Sequence, residues 1–409
     1  MLDDLLLGGF TLLNSAWLAL NGYNILPILS WKRDKTETDP EEKTKNKMSI
    51  SILLPAYKES EVLEDTVSKI EESNYPKSKL ELLLLTEKDD KDTSIIASKL
   101  SKKYKNVHVF RVKNDDVPKG KPRALTQALS RAKGDIIGVL DAEDIINKNL
   151  FTYVNNEIKN NNYDAVQGKL RLNYNKSSWM NMQSRAEYET WYQITLPAFA
   201  NNGYPVPLGG TTNFFKKAII KDMGWNAYSL AEDFELGLRL YNSKHKIKLM
   251  DVVTDEQTTP NLKSWIRQRT RWDRGKLEAS ENLHKYDMNF KHKFMNYMMC
   301  ASPYIGVVNV FGAATSLAIY GLHISMPFYE LVTTYVNSAF IGAYAYLHGR
   351  GYFRASDKTL RSVLSSIMVG ATLPAYWVLQ WGAAIRAVKR ELFEKDQIWE
   401  KTPHYKLKK

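Results

Sequence analysis

Three stretches of this chain carry no charged residue, namely residues 5–31, 294–322 and 362–385. Each is long enough to cross a lipid bilayer, which takes about 20 apolar residues. A fourth stretch, 324–347, carries one charge, Glu330. Residues 32–293 form a charged, well-mixed block large enough for one substantial core. The averages over 409 residues, 44% hydrophobic with a net charge of +12, describe a soluble basic protein and hide this division. The only cysteine, Cys300, lies in an apolar stretch, so neither an intrachain disulfide nor a cysteine-based metal site is available.

The apolar N-terminal run is preceded by Asp3 and Asp4 and followed by Lys32, Arg33 and Lys35. That charge order opposes the basic start of a cleavable signal peptide. It predicts an uncleaved anchor over 1–31 with its C-terminal side in the cytoplasm, followed by a polar linker over 32–48 that contains Pro40.

From residue 49 the pattern changes. Residues 49–57 (SISILLPAY), 80–86 (LELLLLT), 107–112 (VHVFRV) and 136–141 (IIGVLD) are short apolar runs bounded by turn residues, as buried parallel strands are. Helix-like segments at 59–72, 92–104 and 122–133 separate them. The alternation predicts a doubly wound α/β sheet, in which ligands bind beyond the carboxyl ends of the strands. Those ends are acidic: Glu59 after the first, Glu87, Asp89, Asp90 and Asp92 after the second, and Asp141, Glu143 and Asp144 after the fourth. Acids are common in loops and at helix N-caps, and the second cluster is read equally well that way. Three carboxylates behind a strongly apolar strand repel one another unless a cation compensates, and oxygen-rich clusters suit Mg²⁺ or Mn²⁺ carrying a diphosphate.

The second half of the block carries isolated signals. Residues 207–213 (PLGGTTN) form a small-residue turn that lets backbone approach a ligand, and read alone they are as well an ordinary loop. Ala231, Glu232 and Asp233 open a helical pattern, as a capping sequence would. Residues 265–272 (WIRQRTRW) place three arginines and two tryptophans in eight positions. Arginine suits bidentate phosphate contact, and tryptophan offers a face to a sugar ring or a membrane interface. Leu262, Trp265, Trp272 and Ala279 recur at heptad spacing, as on an interfacial amphipathic helix.

PAY-x-E after the first strand, D-x-E-D after the fourth, then G-G-T-T-N, A-E-D and Q-R-T-R-W in this order, followed by apolar helices, resemble the membrane-integrated family 2 glycosyltransferases with the GT-A fold. That group contains cellulose, hyaluronan and glucosylceramide synthases. The resemblance covers residues 49–280 and implies a GT-A catalytic domain, Rossmann-like, over 49–260. Interfacial helices over 261–293, a transmembrane region over 294–385 and a basic cytoplasmic tail over 386–409 would follow. It implies a nucleotide site at Pro55, Tyr57 and Glu59, with base contacts at Glu87 and Asp89. Asp141 and Glu143 would hold nucleotide and metal, Mg²⁺ or Mn²⁺, and Asp233 would be the general base. Gln268 and Arg271 would contact the diphosphate, joined by Lys121, with Lys119 nearby. Gly210, Thr211, Glu232 and Trp272 would face the acceptor. Thr86-Glu87 stands where the family pattern has paired aspartates, which leaves uridine against guanosine open.

The activity so implied is inverting transfer of a hexose from a UDP-sugar, or from GDP-mannose, to a polysaccharide at the cytoplasmic face of the plasma membrane, forming a β-glycosidic bond. Transfer of one sugar to a membrane lipid is the alternative, and a transporter a remote one, since Glu330 alone makes a thin pathway. Nucleic acid is not an expected partner. Residues 263–293, 349–361 and 386–409 carry +5, +3 and +4, the whole surplus, and each flanks an apolar segment, where Lys and Arg face anionic headgroups. An inward basic tail conflicts with three further spans after the anchor, and Pro303, Pro327 and Pro374 each offer a break that makes one of them re-entrant or interfacial.

Overall fold

The computed structural model describes residues 2–30 and 47–394. Most of the expected linker, and residues 395–409 with the 399–404 motif (WEKTPH), lie outside the described residues. The chain runs α1 (Leu2–Ser30), β1 (Ile50–Ala56), α2 (Leu63–Glu71), β2 (Leu80–Thr86), α3 (Lys91–Lys103), β3 (Val107–Arg111), α4 (Lys121–Leu129), β4 (Ile136–Val139), α5 (Leu150–Asn155), β5 (Ala165–Asn173), α6 (Trp179–Thr190) and α7 (Leu196–Asn201). It continues through β6 (Asn213–Lys216), α8 (Lys217–Met223), α9 (Glu232–Asn242), β7 (Ile247–Gln257), α10 (Leu262–Asn282), α11 (Phe290–Cys300), α12 (Ser302–Gly321), α13 (Phe328–Arg354), α14 (Leu360–Ala371) and α15 (Leu373–Phe393).

Two compact units result. The first is a seven-stranded sheet in the order β3-β2-β1-β4-β6-β5-β7, built from residues 47–177 and 205–261. β1 pairs parallel with both β2 (Ile50 opposite Leu80) and β4 (Ile50 opposite Ile136). Period-two alternation sends Ile50, Ile52 and Leu54 into the core with Leu63, Val67 and Phe151. Leu53, Leu83, Ile137 and Val139 enter the opposite core with Leu125, Leu236 and Phe215. β2 and β4 therefore leave β1 on opposite sides, and the crevice between the ends of β1 and β4 is the switch point at which such sheets bind ligands.

The second unit comprises α1, residues 178–204 with α6 and α7, and everything from α10 onward. The expectation of one unbroken domain over 49–260 thus omits an excursion: after β5 the chain builds α6 and α7 in the helical unit before returning at 205. α1 and α12 are long and apolar enough to cross a membrane, and α14 with α15 reaches that length as a pair bent by 51°. The bend is sequence-encoded, because Pro374 sits in the first turn of α15, where a missing N–H costs nothing. A carbonyl freed at the bend, that of Val369, accepts from Gln183 at 3.0 Å, and Thr372 accepts from Trp179 at 2.8 Å. Pro303 and Pro327 likewise stand at helix starts, in the first turn of α12 and just before α13. Glu330 is buried between α1 and α13 and accepts from Asn14 at 3.0 Å.

Candidate active site

The turn after β1 is held by the start of α3. Lys58 has φ 58°, and its N–H donates to Asp90. The N–H of Glu59 donates to Thr93 Oγ1 at 2.9 Å. Asp90 also caps α3 through the Thr93 N–H at 3.2 Å, so one carboxylate ties the first motif to the second. Tyr57 is then partly exposed, donating to Asp89 at 3.3 Å, with the Lys119 ammonium 3.9 Å from its ring centre. Lys119 lies 2.7 Å from both Asp89 oxygens, and that contact holds the Asp89 carboxyl below its usual range. Glu87, expected at the base, is placed otherwise. It is buried, and both its oxygens accept from Arg123 Nη2, at 3.0 and 2.9 Å. A buried carboxylate requires such a partner, and α4 supplies it.

At the end of β4, Asp141 and Glu143 remain partly open while Asp144 is fully buried. Lys121, the first residue of α4, donates to the Asp141 carboxylate and to the Gly210 carbonyl at 2.6 Å. Burial lowers the pKa of Lys121, but the carboxylates of Asp141, Glu232 and Asp233 outweigh burial and hold it above its ordinary value. Gly210 lies at the meeting point: a Cβ built on it would be 3.5 Å from Asp233 Oδ2, 3.8 Å from Asp141 Oδ2 and 3.9 Å from Lys121 Nζ. Three charged groups, from α4, the loop after β4 and α9, converge on the space that a side chain at Gly210 would enter.

Asp233 is presented from the first turn of α9, half-exposed between the buried Glu232 and Phe234. Thr211 and Glu232, expected at the acceptor, are both buried. The Thr211 hydroxyl serves the loop itself, donating to Asp144 and accepting from the Asp141 N–H at 3.0 Å. Burial, followed by the charges of Asp141, Glu256 and Glu143, pushes the Asp144 carboxyl well above its usual range.

Behind this loop stand residues without a sequence signal of their own. Gln167 accepts from the Gly209 N–H at 2.9 Å and donates to the Thr211 carbonyl at 2.9 Å. Thr212 has φ 56°, a left-handed conformation that costs a β-branched residue on the order of 1–3 kcal/mol. Gly168 makes room for it, since a Cβ there would stand 2.3 Å from Thr212 Cγ2.

Among the described residues no three His, Cys, Asp or Glu side chains are grouped as a metal cage. Asp141 and Glu143 fit Mg²⁺ or Mn²⁺ in the way such ions bind through one or two carboxylates plus the phosphates of a substrate.

In the helical unit, α10 carries Gln268, Arg271 and Trp272 at partly exposed positions and buries Trp265, Arg269 and Arg274. The heptad face expected from Leu262, Trp265, Trp272 and Ala279 is therefore only half right, because Leu262 is exposed and the buried stripe includes two arginines. Each arginine has a carboxylate: Arg269 donates to Glu187 at 2.7 Å and Arg274 to Glu391 at 3.1 Å. The Arg269 guanidinium also lies 5.3 Å from the Trp265 ring centre and 4.4 Å from that of Trp272. Glu187 accepts from Tyr376 at 2.6 Å and Gln380 at 3.2 Å as well, joining α6, α10 and α15.

A mixed sheet with a switch-point crevice, an acidic loop after β4 and a carboxylate on the first turn of α9 define a GT-A glycosyltransferase domain. The family model described as "Glycosyltransferase like family 2" matches residues 47–275, and the chain belongs to that family; it is a glycosyltransferase. A probable glycosyltransferase of Bacillus subtilis, YdaM, is 26% identical over 388 residues, 89% of each chain. The poly-β-1,6-N-acetyl-D-glucosamine synthase of Staphylococcus epidermidis is 27% identical over 233 residues, 56% of this chain and 55% of its own. The solved structure of a mannosyltransferase from Pyrobaculum calidifontis, in complex with GDP-Man and Mn²⁺, shares the fold with a TM-score of 0.63 at 14% identity, covering 96% of this chain and 100% of that one.

Proposed function

We propose that this chain transfers a hexose from a nucleoside diphosphate sugar to a polysaccharide acceptor, with inversion, at a membrane surface. The observation that carries the reading is the convergence of Asp141, Lys121 and Asp233 on Gly210. A sugar hydroxyl is a poor nucleophile until a carboxylate takes its proton; Asp141 is engaged by the Lys121 ammonium, and the partly exposed Asp233 is assigned as the base. The hydroxyl oxygen bonds to the anomeric carbon, its proton passes to Asp233, and the bonding pair of the departing C–O bond leaves with the diphosphate. Lys121 meets the negative charge that develops there. A divalent cation held by Asp141 and Glu143 would neutralise further diphosphate charge when bound. One base and a single displacement convert an α-linked donor into a β-glycoside.

With Glu87 held by Arg123, base recognition falls to Tyr57 and Asp89, and Pro55, near the end of β1, and Glu59, in the turn after it, are assigned to the nucleotide on their motif. A UDP-sugar is the favoured donor, supported by the similarity to a poly-β-1,6-N-acetyl-D-glucosamine synthase, and GDP-mannose is the competitor. Gln268 and Arg271 are assigned to the diphosphate and Trp272 to the acceptor on their motif. The apolar α1 and α12 support an integral membrane protein, with the sheet on the cytoplasmic side by the charge order around α1.

The test is a screen of UDP- and GDP-sugars for nucleotide release in detergent, with and without Mn²⁺, repeated on Asp233→Asn. A donor that supports turnover in the wild type, lost in Asp233→Asn by about 10²-fold or more, is expected. Unchanged transfer in that variant, or an α-configured product by NMR, would sink the assignment.

A further inference from the structure

The D-x-E loop is anchored by a residue that faces neither solvent nor ligand. Asp144 is 0% exposed, and its Oδ2 accepts from the Asp141 N–H at 2.8 Å and from the Thr211 hydroxyl. The same Asp141 N–H reaches Thr211 Oγ1 at 3.0 Å, so three groups close a triangle around one backbone amide. Asp144 Oδ1 is buried and accepts no hydrogen bond among the described residues. A buried oxygen without a partner is costly, so Asp144 does not occupy this place for stability alone. What the triangle secures is the relative position of two loops 70 residues apart in sequence. Asp141 and Glu143 lie on one, and Gly210 on the other, itself held by the strained Thr212 and by Gln167.

We propose that Asp144 is a positioning residue: through the Asp141 amide and the Thr211 hydroxyl it fixes the metal- and diphosphate-binding carboxylates against the Gly210 loop. The inference rests on the reading of Asp141 and Glu143 given above. Outer partners of a metal ligand typically set 10–100-fold of its metal affinity without touching the ion.

The test is binding of Mn²⁺ to the purified full chain in the presence of UDP and, separately, GDP, followed by the EPR signal of free Mn²⁺, with thermal unfolding recorded in parallel. Asp144→Ala and Thr211→Val are each expected to weaken Mn²⁺ binding by about tenfold or more. Thr211→Ser, which keeps the hydroxyl, retains wild-type affinity, and the double variant Asp144→Ala/Thr211→Val binds no more weakly than the poorer single one, because both break one triangle. Wild-type affinity in both singles, additive losses in the double variant, or a Thr211→Ser loss equal to that of Thr211→Val would overturn the inference. Should Asp144→Ala fail to fold, the Thr211 pair decides it alone. A wild type that binds no Mn²⁺ with either nucleotide would instead overturn the reading of the site, and this inference with it.

Discussion

The Lys121 ammonium stands 2.6 Å from the carbonyl oxygen of Gly210 while also donating to the Asp141 carboxylate, so one side chain bridges the two loops that frame the proposed catalytic centre. Truncating it removes both the bridge and the positive charge facing a departing diphosphate. Lys121→Met is expected to lower kcat/KM by about 10²-fold or more, the usual cost of losing a preorganised charge at such a position. Lys121→Arg keeps the charge but not the compact ammonium that fits between two oxygens, so it recovers only part of the rate. Steady-state kinetics with the donor identified by nucleotide release checks both.

Gly210→Ala separates space from fold. The added methyl would meet Asp233, Asp141 and Lys121 at 3.5 to 3.9 Å, ordinary contact distances, so the protein folds with an unchanged melting temperature. It fills the point on which the three groups converge, and turnover falls by about tenfold or more, as misplacement of reacting groups by an ångström does. Equal activity with equal stability would place the reacting atoms elsewhere.

How far this site could be read beforehand depended on sequence distance. β2 was legible to the residue at Leu80–Thr86, because a continuous apolar run between turn residues has one interpretation in an alternating chain. Asp141, Glu143 and Asp233 were legible as motifs. Their support was not: Asp144 needs Thr211, Glu87 needs Arg123, and neither pair is visible without the fold. The excursion of α6 and α7 was hidden for the same reason, since Trp179 meets its partner Thr372 across 193 positions. Trp179, Gln183 and Glu187 do recur every four residues, a helical stripe whose meaning appears only when α15 and α10 supply the other side.

Acid stability has one traceable contribution at the start of β1. Asp135 accepts from the Ser49 hydroxyl at 2.6 Å and from its N–H at 3.2 Å, and the hydroxyl bond chiefly holds the carboxyl below its usual 3.8. A carboxyl depressed in the fold stabilises it above the unfolded value and ceases to do so as pH falls through the folded one. The wild type is therefore expected to melt above Asp135→Asn at pH 6, with the gap shrinking below pH 3.8 and closing at lower pH. Melting curves of both proteins from pH 6 downward check this, and a gap that widens on acidification contradicts it.

In the helical unit the decisive pair is Glu187 and Arg269. Glu187 receives Arg269, Tyr376 and Gln380, and Arg269 is buried between the rings of Trp265 and Trp272. Removing the carboxylate leaves a guanidinium buried without its counter-charge, which costs roughly 3–5 kcal/mol, whereas removing both charges leaves none. Glu187→Ala is accordingly expected to destabilise the protein far more than Glu187→Gln combined with Arg269→Gln, although the second changes more atoms. Because Trp272 also packs on Tyr188, 6.4 Å between ring centres, loosening Arg269 frees one side of the ring assigned to the acceptor. Glu187→Gln should then raise the KM for acceptor while leaving nucleotide affinity at the sheet unchanged. Detergent-solubilised variants compared by thermal unfolding, nucleotide binding and acceptor saturation resolve the three effects, and a double variant as unstable as Glu187→Ala would show that the buried charge is not what the pair exists to neutralise.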